Sequence, residues 1–398
     1  MTGTLFDLQQ ALQERADAGL LRSRQRLDAS SGCRICIGGR EYINFSSNDY
    51  LGAASAPEIC SAWQQGLKRW GCGSGASPLV TGYTSAHADL EQALAQWLGV
   101  EAVLLFSTGF AANQTVIKSL LSQKHQLWQD RLNHASLQEA GAMSPARMRR
   151  FQHNDMLHLH TLLAPASGLV VSEGVFSMDG DQSPCARLLE MTHQSGNWLM
   201  IDDAHGFGVH GAQGRGTLAL QGVEPSKVDI IVGTFGKAFG TAGAFVAGSR
   251  LLVDYLVNFA RDYVYSTHMP PSQAVATLAA LEWIQQADEQ REYLQSLIRE
   301  FRVGIAACGL ELMPSATAIQ PIIIGDSDQA LAFAAALRDA GVWVTAIRPP
   351  TVPAGSARLR ITLTAAHSRD DVGRLLDSIA SVTRRYAGWR IGHDPVVA

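Results

Sequence analysis

VDIIVGTFGKAFGTAGA, residues 228–244, is the stretch on which the reading of the fold turns. A short apolar run passes into a Gly-rich bend, and Lys237 lies just beyond it. An apolar run of that length, bounded by turn residues, reads as a fully buried strand. In open α/β sheets ligands bind outside the C-terminal ends of the strands, which is where this lysine stands. A lone lysine in a loop is ordinarily a solvated charge. This one is flanked by Gly236, Ala238, Phe239 and Gly240, with no charged neighbour in the loop. Poor solvation disfavours the ammonium form and leaves the amine available for imine chemistry.

Outward from this segment the same pattern repeats. Apolar runs bounded by turns occur at AVLLF (102–106), GLVVSE (168–173), NWLMIDD (197–203) and AGAFVAG (242–248), with helical stretches such as 86–98 and 111–121 between them. The alternation predicts an α/β fold whose central sheet is mostly parallel and covered on both faces. An Ala/Leu-rich helical region follows at 272–307. Strands near 318–324, 342–346 and 358–363, with helices at 327–340 and 368–384, then read as a smaller C-terminal α/β domain. A chain of 398 residues exceeds the roughly 250–300 at which single cores stop growing. The expected division is an N-terminal helix and hairpin segment (1–50), a large cofactor-binding domain (51–285) and the small domain (286–398).

A net charge of −4 and the lack of any basic run argue against a nucleic-acid surface. The opening residues have no basic start followed by an apolar block. Leu5, Leu8, Leu12, Ala16 and Leu20 instead recur at helical spacing, predicting an amphipathic helix. No apolar stretch approaches the 18 residues of a membrane span, so a soluble, cytoplasmic protein is expected. Cys33 and Cys36 form a C-x-x-C pair, but no second pair follows at metal-site spacing, and no metal is expected. The pair sits at the start of CRICIGGREYINF (33–45), which reads as a β-hairpin turning at Gly38-Gly39. Reduced structural cysteines are the plain interpretation. GFGVHG (206–211) matches the dinucleotide spacing G-x-G-x-x-G, but a loop-like AQGRG follows where that motif needs a helix. GTFGK (233–237) lacks the first glycine of a phosphate loop and has Ala238 after its lysine.

Two further segments carry chemistry. WLMIDDAHG ends a buried strand in two acids and a histidine, which are costly to bury unless paired. A turn or capping aspartate is one reading. The other is that Asp202 pairs with the protonated pyridine nitrogen of pyridoxal 5′-phosphate (PLP), keeping the ring cationic so that it absorbs electrons from a carbanion. His205 would then meet the ring oxygen. STGFAANQ (107–114) follows the strand AVLLF with small residues that open a helix, leaving the Gly109 and Phe110 N–H groups for the PLP phosphate. A phosphate cradle, a ring-nitrogen partner and an imine lysine thus fall at strand ends of one sheet.

With these segments in view, the chain resembles the α-oxoamine synthases. NFSSNDYLG (44–52), FSTGFAAN (106–113), EGVFSMDGD (173–181), IDDAHGFG (201–208), GTFGKAFG (233–240) and IRPPTVPAGSARLRITLTAAH (347–367) are similar to that family's blocks, in order, from Arg22 to His367. The resemblance implies the PLP-dependent transferase fold type I, with Lys237 as imine lysine and general base and Asp202 on the ring nitrogen. It also implies His134, in LNHAS, stacked on the ring, Ser177 and His205 at the ring oxygen, and Gly109, Phe110 and Thr234 on the phosphate. Arg348 and Arg22 would recognise carboxylates, Thr351 would contact substrate and Asn48 would lie near the reacting centre. The family's G-S-G-G-S-R segment departs here to GSGASPLVTG (73–82), with Ala76 and Pro78. The implied activity is decarboxylative condensation of L-alanine with a pimeloyl thioester, on coenzyme A or an acyl carrier protein, in biotin biosynthesis by a homodimer. Other members join glycine to acetyl, succinyl or long acyl thioesters, and an aminotransferase on the same fold is a further alternative.

Overall fold

The computed structural model describes residues 6–165, 168–308, 310 and 312–386. Its described residues divide into two compact units. The first takes the chain up to Ser47, Met178–Gly180 and the chain from Gln295 onward; the second takes Asn48–Ser177 and Asp181–Leu294. The N-terminal hairpin is thus grouped with the C-terminal residues rather than forming a segment of its own, and the later division falls inside the helix Asp288–Ala307.

The second unit is built on a seven-stranded sheet. Its order is Ala102–Phe106, Ala244–Gly248, Ile230–Thr234, Trp198–Asp202, Gly168–Glu173, Gln126–Asp130 and Arg147–Phe151. Ala244–Gly248 runs antiparallel to both neighbours, and every other adjacent pair is parallel. Every residue of AVLLF is buried, and so are Val170, Val171, Leu199, Met200 and Ile201, as expected of strands covered on both faces. Two strands lie outside the expectation, QLWQD (126–130) and RMRRF (147–151). The second is one of the two edge strands, and three arginines in five residues erase its apolar signal while shielding an open sheet edge.

In the first unit, Arg34–Ile37 and Arg40–Asn44 form the expected hairpin. Ile37 pairs with Arg40, and both turn glycines have positive φ (58° and 76°), the geometry a two-residue turn of this hand requires. The second arm pairs in parallel with Val342–Trp343. A three-stranded antiparallel sheet orders Ile319–Gly325, Ala357–Thr362 and Thr345–Ile347. Helices Ser327–Asp339 and Arg369–Arg385 complete the small α/β layer. Cys33 is a buried free thiol that donates to the Ala366 carbonyl (3.1 Å), and Cys36 is also free, in keeping with a structural role. The N-terminal helix forms over Leu8–Asp17 with Asp7 as its cap, but no residue of it is buried. Leu5 lies outside the described residues.

Candidate active site

A cleft in the second unit opens where five strands end. Its walls include Gly109 and Phe110 after the Ala102 strand, His134 after the Gln126 strand, Glu173, Asp202 and His205 around the next two, and Thr234 and Lys237 after the Ile230 strand. The loop carrying Lys237 is pinned on both sides of the lysine. Phe235 and Phe239 are fully buried and meet edge to face at 5.2 Å, the Phe235 N–H donates to the Gly243 carbonyl, and the Gly240 N–H closes on the Lys237 carbonyl at 2.9 Å. Gly240 has φ of +67°, and a Cβ there would stand 2.2 Å from the Ala54 nitrogen, so neither its conformation nor its surroundings admit a side chain.

The two aspartates of WLMIDD separate because successive side chains of a strand point to opposite faces. Asp202 lines the cleft, and its carboxylate accepts from Asn113 Nδ2 (2.7 Å) and the Ala204 N–H (3.0 Å). Asp203 turns away from the cleft and accepts from the Thr217 N–H (2.6 Å) and hydroxyl (2.7 Å). It is enclosed by Gly174, Gly206 and Gly216, where an added Cβ would lie 2.0, 2.0 and 2.2 Å from a carboxylate oxygen. Gly206, the first glycine of the dinucleotide look-alike, therefore has a structural reason: it makes room for this carboxylate. Burial pushes the Asp203 carboxyl up to about 7, with the Thr217 donors opposing the shift.

His134 caps the helix Ala135–Met143. Its Nδ1 meets the Ser136 hydroxyl (2.8 Å) and the Ser136 N–H (3.3 Å), and its own backbone N–H donates to Glu173. Burial lowers the His134 pKa, the charge of Asp202 raises it and Lys237 lowers it further, so the ring is neutral near pH 7. Glu173 is pushed well above the ordinary carboxylate range by burial and by the Asp202 charge. His205 Nδ1 lies 2.6 Å from the buried Tyr50 hydroxyl, which is 3.3 Å from Asn48 Oδ1. Both contacts are satisfied when His205 donates to Tyr50 and Tyr50 donates to Asn48.

At the opposite end, the helix Gly109–Leu120 begins at Thr108, which takes the Ala111 N–H on its hydroxyl and the Ala112 N–H on its carbonyl. Gly109 and Phe110 precede these in the first turn, where N–H groups have no partner within the helix. Thr234 stands beside them: a Cβ on Gly109 would lie 3.8 Å from that of Thr234. The Thr234 hydroxyl donates to the Gly243 carbonyl at 3.0 Å.

Seven of the expected site residues thus line one cleft: Lys237, Asp202, His134, His205, Gly109, Phe110 and Thr234. Asn48 and Ser177, in the same unit, are not among its lining residues, Asn48 standing behind Tyr50 instead. Arg22, Arg348 and Thr351 belong to the first unit and come together there. Arg22 Nη2 donates to the Thr351 hydroxyl (3.2 Å), Arg348 donates to the Gly19 carbonyl, and the Thr351 N–H closes a turn on the Arg348 carbonyl (3.1 Å). Sequence reading did not single out Asn113, Ser136, Glu173 or Tyr50. Asn113 was detectable in principle, one helical turn after Gly109 and facing the same way.

Comparison with known proteins places this cleft in a family. Residues 40–379 match the model for aminotransferase class I and II. An 8-amino-7-oxononanoate synthase from Aeromonas salmonicida is 62% identical over 374 residues, covering 94% of each chain. Among solved structures, a serine palmitoyltransferase variant from S. paucimobilis with a bound PLP–myriocin aldimine superposes with a TM-score of 0.90 at 29% identity, over 96% of this chain and 98% of that one. The 8-amino-7-oxononanoate synthase from Francisella tularensis does so with a TM-score of 0.77 at 28% identity, over 87% and 99%. With its fold and its strand-end lysine and aspartate, the chain belongs to the aminotransferase class I and II family, in the branch whose curated relatives bear the name 8-amino-7-oxononanoate synthase.

Proposed function

We propose that this protein is a PLP-dependent acyltransferase that condenses L-alanine with a pimeloyl thioester, losing CO₂ and the thiol carrier to give 8-amino-7-oxononanoate for biotin. The observation that carries the reading is the cleft in which Lys237, Asp202, His134 and a helix N-terminus converge, in a chain 62% identical to a relative of that name.

The donor set fits PLP. Gly109 and Phe110, at the start of a twelve-residue helix, suit its phosphate. Asp202, oriented by two donors, suits the ring nitrogen, His134 the ring face, His205 the ring oxygen and Lys237 the aldehyde. When bound, PLP supplies a cationic ring that takes up the charge left on a substrate α-carbon after its proton departs. Lys237 is the base that removes this proton, and its loop, anchored by Phe235 and Phe239, limits where the amine can swing. Asp202 would hold the ring nitrogen of bound PLP protonated. His134, neutral and fixed at Nδ1, presents its ring without adding a positive charge. Arg348 and Arg22 are the proposed carboxylate anchors, since a guanidinium grips a carboxylate through two parallel hydrogen bonds. Ser177, Thr234, Asn48 and Thr351 keep the roles that the resemblance implies. No helix among the described residues is long and apolar enough to cross a membrane. We read the enzyme as a cytoplasmic homodimer, and light scattering that finds a fully active monomer would refute the second part.

Alanine mixed with a pimeloyl thioester should release free thiol and CO₂ in equal amounts. Release with glycine and a shorter acyl thioester, but not with this pair, would move the protein to another α-oxoamine synthase. Amino transfer to an α-keto acid without CO₂ would make it an aminotransferase.

A further inference from the structure

We propose that Asn113 is a positioning residue that orients Asp202 and, through Ser136, fixes which nitrogen of His134 carries its proton. The argument is a count of protons. The Asn113 amide is 1% exposed, and its Nδ2 lies 2.7 Å from Asp202 Oδ2 and 3.0 Å from Ser136 Oγ. An amide nitrogen has two protons, and these two acceptors use both. Asn113 Oδ1 is buried and meets no donor. Rotating the amide by half a turn would set that oxygen against the Asp202 carboxylate, so the aspartate selects the orientation and the orphaned oxygen is the cost.

Because Ser136 Oγ accepts from Asn113, its single proton is free to go to His134 Nδ1, 2.8 Å away. The Ser136 backbone N–H points at the same nitrogen from 3.3 Å. Two donors converge on Nδ1, so it holds a lone pair and the ring proton sits on Nε2. Asn113 also lies one turn along the helix that Gly109 opens. One rigid element therefore presents the phosphate cradle at its first residue and sets the carboxylate and the imidazole from its fifth. This inference rests on the PLP reading for its purpose, but not for its geometry.

The test uses Asn113→Leu and Ser136→Ala in the full-length protein, with ¹⁵N-histidine NMR of the ligand-free form as first readout. Wild-type His134 should appear as the Nε2–H tautomer alone, and both variants should show a mixture. In the PLP-loaded protein, Asn113→Leu should move the pH midpoint of the visible spectrum and slow alanine α-proton exchange about 10- to 100-fold, the loss of one hydrogen bond to a charged group. The KM for alanine should hardly change. Ser136→Ala should leave the spectral midpoint in place. If Asn113→Leu fails to fold, Asn113→Ser, which keeps a short donor, takes its place. Variants that melt cooperatively with the wild-type tautomer and midpoint would overturn the proposal and leave Asn113 a packing residue. A wild-type protein with the predicted tautomer but no alanine exchange would instead overturn the PLP reading.

Discussion

Asp202 ends a strand and Asp203 is the next residue, and the two occupy opposite kinds of surroundings. Asp202 faces the cleft, held by one amide side chain and one backbone N–H, with room before it for a partner. Asp203 faces a cage of three glycines and Thr217, with no room for anything. The strand supplies the difference, because its pleat turns neighbours to opposite faces. A carboxylate that is oriented and left open can take a partner; one that is enclosed and fully partnered can only hold the fold.

The largest effect should come from breaking the open side. Asp202→Asn leaves the shape intact and removes the charge that would hold a ring nitrogen protonated. Loss of one partner from a buried ion pair costs about 3–5 kcal/mol, which corresponds to roughly 10²–10⁴ in rate if it is felt in the transition state. Alanine α-proton exchange should fall by that factor while the melting temperature of the ligand-free protein stays near wild type. Exchange at the wild-type rate in the Asn variant would show that the open carboxylate has no part in proton removal.

The closed side should respond the other way. Gly206→Ala puts a Cβ 2.0 Å from Asp203 Oδ1 and 2.4 Å from the Thr217 hydroxyl. Overpacking of this kind typically costs about 1–3 kcal/mol. The variant should unfold at lower denaturant concentration with an unchanged m-value, and its exchange rate per folded molecule should match wild type. A stable variant with slow exchange would mean that the cage and the cleft are one structure rather than two.

The same contrast marks what could be read from sequence. Strands buried on both faces announce themselves as continuous apolar runs, and AVLLF and GLVVSE coincide with strands at both ends. RMRRF carries no such signal because, at the other edge of the sheet, only Phe151 of its five residues is buried and three are arginines. Lys237, Asp202 and Gly109 were legible because each follows a strand end in a motif of small residues. Which of the two aspartates faces the cleft is a matter of register, and composition is silent on it. Asn113 and Tyr50 touch residues expected in the site across separations of 89 and 155 residues, and these pairings exist only after folding. The hairpin at 34–44 was legible from its glycines. Its pairing with Val342–Trp343, almost three hundred residues away, was not.

A third buried carboxylate sharpens the comparison. Asp130 is as buried as Asp203, but it faces a potential cation instead of neutral donors. His153 lies between Asp130 (Nδ1, 3.0 Å) and Asp181 (Nε2, 2.7 Å), and Asn154 donates to both aspartates. Burial pushes the His153 pKa down, but the two hydrogen bonds and the two negative charges outweigh it and carry the imidazole to about 10. The folded state therefore binds this proton more tightly than the unfolded chain, where histidine titrates near 6.5. The contribution to stability is complete below about 6.5 and is lost as the pH rises from there through about 10. Over that window one proton accounts for a slope of at most about 1.4 kcal/mol per pH unit. Unfolding free energies of the wild type and His153→Gln, measured side by side from pH 6 to pH 10, should differ most at the acid end and converge toward the alkaline end. A difference that stays constant with pH would mean that the imidazole is held there as a neutral ring, as Thr217 is held against Asp203.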